Sequence, residues 1–121
     1  MTTTIEIISG IRIAHIRSDE ILITDGQTAL DLLASTYYNE DCTHISINKE
    51  AIDESFFVLS SGIAGEVLQK VVNYRMKLAI IGDFSRYTSK PLRDFIGESN
   101  RGRDIFFVNT EQEATDHLAT T

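Results

Sequence analysis

Along the chain the spacing of apolar residues changes period several times, from the alternation of strands to the three-to-four-residue spacing of helices. Ile5-Glu6-Ile7-Ile8 and Ile11-Arg12-Ile13-Ala14-His15-Ile16 are β-branched segments around the turn pair Ser9-Gly10, which predicts a hairpin. Ile21-Leu22-Ile23 adds a short extended piece. Leu30, Leu33, Ala34 and Tyr37 then recur at helical spacing, and Thr24 with Gln27 three residues later suits a capping box. The spacing predicts a first helix over residues 26–38, ended by Asn39. His44-Ile45-Ser46-Ile47-Asn48 reads as a strand, and the connection over 49–59 is expected to send Phe56-Phe57 into the core.

From Ser61 onward, Ile63, Val67, Val71 and Tyr74 make one face of a second helix, widened by Ala64, Leu68 and Val72. Gly62, Ala64 and Gly65 would let it lie close to a sheet. Lys77-Leu78-Ala79-Ile80-Ile81-Gly82 is nearly all apolar, as expected of a central strand buried on both faces. A third helix is capped by Ser89, carries Pro91 in its first turn, presents Leu92, Phe95, Ile96 and Ser99 as a stripe, and stops at Asn100 and Gly102. Ile105-Phe106-Phe107-Val108 is the last strand, and Thr110 with Glu113 repeats the capping-box spacing before a short helix containing Ala114 and Leu118. The expected fold is a single α/β domain over 1–121: a mixed sheet with an N-terminal hairpin, then parallel β-α units, packed with about four helices.

The composition adds limits on function. With 121 residues, 42% of them hydrophobic and 24% charged, the chain can build one modest core. Its formal charge of -7 argues against general affinity for nucleic acid or an anionic membrane. The charge is uneven, however, because residues 70–103 carry eight basic and three acidic side chains. Arg86, Lys90, Arg93, Arg101 and Arg103 form either a basic patch around the third helix, suited to an acidic protein surface or a small anionic ligand, or a solvated face with Arg93, Asp94 and Glu98 in surface pairs. Cys42 has no disulfide partner and no Cys/His cluster has zinc spacing, so no metal or cofactor is expected and a reducing, cytoplasmic setting is. There is neither a basic-then-apolar leader nor an apolar run long enough to span a bilayer, which predicts a soluble, unprocessed chain.

Sites in such sheets lie in loops at the carboxyl ends of the parallel strands, here 48–61, 82–90 and Asn109-Thr110. In the first, Ser60-Ser61-Gly62 sets a hydroxyl beside the free amides of a helix start, a place for phosphorylation, for an anion, or for a simple cap. In the second, Asp83, Ser85 and Arg86 suit either a polar ligand or a turn fixed by the Asp side chain. If the two central strands are neighbours, Ser61 falls beside Asp83, Ser85 and Arg86. His15, His44 and His117 lie in separate elements, and Cys42 beside Glu40 and Asp41 has surroundings that disfavour a thiolate. No nucleophile-base-orienter set can be assembled, so no catalytic residue is assigned.

Strand His44-Ile45-Ser46-Ile47, then Ser60-Ser61-Gly62-Ile63, a helix, and strand Leu78-Ala79-Ile80-Ile81 resemble the central part of STAS domains, typified by anti-sigma-factor antagonists. In that family an Asp-Ser-Ser-Gly-Leu-Gly step opens the corresponding helix, and the Ser before the Gly is phosphorylated by a partner kinase. The resemblance makes Ser61 the phosphoacceptor, with Leu59 standing where the family has Asp. Over nearly the whole chain, Phe56-Phe57, Gly62-Ile63-Ala64-Gly65-Glu66-Val67, Lys77-Leu78-Ala79-Ile80-Ile81-Gly82-Asp83-Phe84 and Leu92-Arg93-Asp94-Phe95-Ile96-Gly97 resemble an uncharacterised bacterial family, a domain of unknown function. The expected function is a non-catalytic regulatory or protein-binding module, switched by phosphorylation or ligand binding near Ser61, with Ser60, Gly62, Asp83, Ser85, Arg86 and Arg93 binding a ligand or partner. The alternative is an enzyme or sensor for a small anionic molecule at the strand ends. Expected partners are a regulatory kinase or similar protein, a small anionic ligand, or further copies of the chain, with neither nucleic acid nor membrane among them.

Overall fold

The computed structural model describes residues 1–121, and its elements run β1 (Thr2–Ile8), β2 (Ile11–Arg17), α1 (Gly26–Glu40), β3 (His44–Asn48), α2 (Ile63–Asn73), β4 (Lys77–Ile81), α3 (Lys90–Arg101), β5 (Ile105–Val108) and α4 (Glu111–Leu118). The five strands form one sheet in sequence order. β1 and β2 are antiparallel, whereas β2-β3, β3-β4 and β4-β5 are parallel. This is the expected mixed α/β sheet with four helices. The hairpin turns on Ser9 (φ 52°) and Gly10 (φ 82°), the pair of positive φ angles that a two-residue turn of the right twist requires.

Alternation along the strands divides the core in two. Ala14, Ile16, Ile45, Ile47, Leu78, Ile80, Ile105 and Phe107 face α1, α2 and α3 and build the larger core with Leu33, Val67, Val71, Leu92 and Phe56. Ile13, Ala79, Phe106 and Val108 face the other way and are covered by Ala114 and Leu118 of α4. β4 is therefore apolar on both faces, as its sequence predicts. Phe56 and Phe57 are buried from the connection after β3, which winds through 3-10 turns at Lys49–Ala51, Glu54–Phe57 and Leu59–Ser61. Ile21-Leu22-Ile23 forms no strand; only Ile23 makes an isolated parallel bridge, to Ile52.

Helix ends differ from expectation where two cap chemistries compete. The N-cap of α1 is Asp25, not Thr24: its carboxylate accepts from the Thr28 amide at 2.8 Å, and Thr28 Oγ1 accepts from the Asp25 amide at 3.1 Å. A carboxylate at a helix start gains from the dipole as well as from the hydrogen bond, worth about 1 kcal/mol against Ala. The helix passes Asn39 and ends at Asp41, whose φ of 54° turns the chain. α2 starts at Ile63 rather than Ser61, because Gly62 (φ 82°) separates the helix from the preceding 3-10 turn. Tyr74 and Val72, expected on its apolar face, are 56% and 47% exposed. Of the small residues expected to bring α2 close to the sheet, Ala64 is fully buried in the larger core, whereas Gly62 and Gly65 have open space beside them; the tight contact of α2 is with α1, where a Cβ on Gly26 would lie 3.0 Å from Glu66 Cβ. At α3, Ser89 occupies the cap position without a side-chain hydrogen bond. Asn100 does not stop that helix; it lies in the last turn and its amide serves β5. Thr110 caps α4 by accepting from the Glu113 amide, but Glu113 returns its carboxylate to Asn109 rather than to Thr110.

Candidate functional site

The carboxyl ends of β3 and β4 are drawn together by a contact that only glycine permits. Lys49 follows β3 and Gly82 follows β4, and a Cβ on Gly82 would sit 2.7 Å from Lys49 Cβ. This places the Lys49 ammonium over the rings of Phe57 and Tyr87, 5.1 and 5.3 Å from their centroids. Those rings stack at 4.9 Å and 14°, and the Arg86 guanidinium lies 5.0 Å from the Tyr87 ring. Glu54 ties the assembly together by accepting from the Tyr87 hydroxyl, from Arg86, and from Lys49 at 3.3 Å. Burial pushes the Glu54 carboxyl up, but the Tyr87 hydroxyl and the two cations outweigh it and hold the group below its ordinary range. Neighbouring Asp83 spends its carboxylate on a local turn, accepting from Ser85 Oγ at 2.6 Å and the Ser85 amide at 3.0 Å. The Ser85 hydroxyl accordingly keeps Asp83 ionised below the usual carboxylate range.

Ser61 is next to this assembly but not part of it. Its hydroxyl donates to the Ser55 carbonyl at 2.8 Å and accepts from the Ile63 amide at 3.2 Å. Ser61 thus stands one residue before the N-cap position of α2, which Gly62 holds, and its hydroxyl ties the first helical amide to the two preceding 3-10 turns. No hydrogen bond or ion pair joins Ser61 to Asp83, Ser85 or Arg86; the link runs through Glu54, which binds Arg86 and precedes Ser55. Ser60 and Leu59 face Ser89 and Pro91 across a groove of about 530 Å³. Ser85, Tyr87, Arg93 and Gly97 line a second of about 370 Å³. Both are open clefts. Of the expected basic patch, Arg86 and Lys90 are paired with Glu54 and Asp94, while Arg93, Arg101 and Arg103 make no ion pair. The expected Arg93–Asp94–Glu98 pairing is absent because Asp94, four residues after Lys90, is taken by that lysine.

A second polar cluster, on the α4 side of the sheet, escapes any reading by motif. His15 is 6% exposed. Its Nε2 lies 2.8 Å from Glu6 Oε1, and its Nδ1 lies 2.6 Å from Ser46 Oγ and 3.2 Å from Glu111 Oε1. Thr115 also donates to Glu6 at 2.8 Å. The imidazole and then the Thr115 hydroxyl hold Glu6 below its ordinary range. Hydroxyl, imidazole and carboxylate follow one another as in a nucleophile-base-acid relay. Ser46 is only 1% exposed, however, so its oxygen cannot meet a substrate. The two carboxylates lie against opposite ring nitrogens and do not converge on a metal position. The cluster works as a clamp that joins β1, β2, β3 and α4 beside an open groove of about 570 Å³. Its only sequence signal is the hairpin register: Thr4 pairs with His15 and Glu6 with Ile13, which sets Glu6 and His15 diagonally on one face.

The model of a domain of unknown function, DUF4180, matches residues 8–118. The chain belongs to the DUF4180 family. The match takes in the hairpin turn, the β3–β4 end and α4, while β1 up to Ile7, with Glu6 of the His15 cluster, precedes it. No curated protein and no solved structure matches the DUF4180 chain. No helix is long and apolar enough to cross a membrane.

Proposed function

We propose that the chain is a non-catalytic regulatory module of STAS-like type that docks a protein partner at the carboxyl ends of β3 and β4. What carries this reading is the shape and chemistry of that end: Tyr87, stacked on the buried Phe57 and flanked by the exposed Arg86, between open clefts rather than over an enclosed pocket. Aromatic rings with adjacent cations are the residue types that anchor protein contacts, and the exposed Val58 extends the apolar part of the surface. A reducing, cytoplasmic setting and an acidic partner surface fit the same reading, since Arg93 at this end is left without a counter-charge. Phosphorylation of Ser61 would take away the proton that its hydroxyl donates to the Ser55 carbonyl and add charge near -2 at the start of α2, so it would loosen the 3-10 turn that carries Ser60.

The test is site-specific photo-cross-linking in the native cell from positions 58 and 85, with position 39 at the opposite end as control, alongside intact-mass measurement of the purified chain. A discrete protein adduct from 58 and 85, lost in Tyr87→Ala, supports docking. Adducts equal to those from position 39 would sink it. Phosphate found at Ser61 supports the switch, and an unmodified mass in every growth condition removes it. Unpaired Arg93 beside Ser85 favours a second reading, a sensor of a small anion, which Arg93→Ala tests through loss of binding to an anionic ligand panel.

A further inference from the structure

We infer that β1 is an assembly edge, and that two copies of the chain pair β1 to β1 in antiparallel fashion to make one continuous sheet. The two edges of the sheet are treated differently. At β5 the outward backbone of Phe107 is closed by a side chain: Asn100 Oδ1 accepts from the Phe107 amide at 2.7 Å, and Asn100 Nδ2 donates to its carbonyl at 3.1 Å. That amide imitates a neighbouring strand at Phe107, and β5 is only four residues long and packed against α3, so little of this edge is left to offer. β1 has seven residues, Thr-Thr-Thr-Ile-Glu-Ile-Ile, with no Pro, Lys or bulge, and its only ladder is the one with β2.

The geometry of the hairpin says which groups are open. In a two-residue hairpin the pair next to the turn, Ile8–Ile11, exchanges both amide bonds, and alternate pairs follow: Glu6–Ile13 and Thr4–His15. The amides and carbonyls of Thr3, Ile5 and Ile7 therefore point away from the sheet. A two-fold axis at Ile5 sets Ile5 opposite Ile5 of the second copy, and Thr3 opposite Ile7 in both directions, so every outward group of this stretch finds a partner. The same register is chemically self-complementary. Ile7, 60% exposed, comes to lie beside the second copy's Thr3 and diagonal to its Ile5, which makes an isoleucine cluster across the axis. Glu6 faces Thr4 instead of the second Glu6, and its carboxylate stays with His15 and Thr115. A shift of the register toward the turn would set the two Glu6 side chains face to face, and like charges opposed across strands are unfavourable.

This edge lies apart from the β3–β4 end, so it stands or falls independently of the docking reading. Sedimentation equilibrium over a concentration series gives the mass, and amide hydrogen exchange followed by NMR reads the Thr3, Ile5 and Ile7 amides. The expected result is a dimer in which these amides are protected, with protection falling as the sample is diluted. Thr3→Pro removes an outward amide without touching the β1–β2 ladder, and Ile7→Lys puts a charge on the edge; each is expected to give a folded monomer with fast exchange at Ile5. A monomer at millimolar concentration with all three amides exchanging freely overturns the inference, as does a dimer that survives both substitutions. The exchange measurement on the unsubstituted chain decides the matter even where a variant fails to fold.

Discussion

The Asn100 amide at the far edge of the sheet gives the most direct quantitative test of how this fold is closed. Asn100→Ala deletes a donor and an acceptor together, leaving the amide and carbonyl of Phe107, a residue 5% exposed, without partners. A hydrogen bond contributes about 0.5–1.5 kcal/mol net, and an orphaned buried group costs about 1–3 kcal/mol. Because this edge is part-buried, water replaces some of the loss, and the expected destabilisation is about 1.5–3 kcal/mol. At about 3–5 °C per kcal/mol for a domain of this size, Tm falls by about 5–15 °C. Urea unfolding followed by far-UV circular dichroism measures the free energy, and the slope with denaturant stays unchanged because no additional surface is exposed in either state. Asn100→Asp separates the two bonds. Its carboxylate still accepts from the Phe107 amide but opposes the Phe107 carbonyl, so this variant is weaker at neutral pH and recovers in acid, where the protonated oxygen donates. A loss below about 0.5 kcal/mol in Asn100→Ala, with the slope unchanged, would refute the view that this amide closes the β5 edge.

Three further outcomes follow from the same contacts. Ser61→Ala loses the bonds to the Ser55 carbonyl and the Ile63 amide, and chemical denaturation should show a loss of about 0.5–2 kcal/mol, with Ser61→Thr restoring most of it. Glu6 is held below its ordinary value of 4.5, so its contribution to stability is complete above that pH and is lost as the pH falls through the lower folded-state value. Glu6→Gln should therefore be less stable than the natural chain at neutral pH and show a shallower acid limb in stability measured against pH, an effect kept modest by the 40% exposure of the side chain. Burial pushes the Cys42 thiol up, so a thiol reagent at neutral pH should leave it unlabelled in the folded protein and label it fully once urea has unfolded the chain; labelling at equal rates in both would contradict its place in the core.

Periodicity within each segment, read from the sequence alone, already specified the hairpin on Ser9-Gly10, the strands around Ile45, Ala79 and Phe106, the four helices and the burial of Phe56-Phe57. These are properties of near neighbours in the chain: a turn that demands positive φ, an apolar run without interruption, side chains three and four apart on one helix face. Ends of elements were less legible, since Thr24 and Asp25 are both competent caps and only the packed helix chooses the carboxylate that also satisfies Thr28. The sites belong to the tertiary structure. Ser61 looked toward Asp83 and Arg86 from topology, yet a 3-10 turn carried its hydroxyl to Ser55, six residues back. Glu54, Tyr87 and Lys49 meet because Gly82 lets two strand ends approach, and His15 acquires Glu6, Ser46, Glu111 and Thr115 from three different elements. Local sequence sets the conformation of a segment because the relevant forces act within a turn or two of the backbone. Which distant side chains share a proton or a charge is decided only when the sheet register and helix packing bring them within hydrogen-bonding distance.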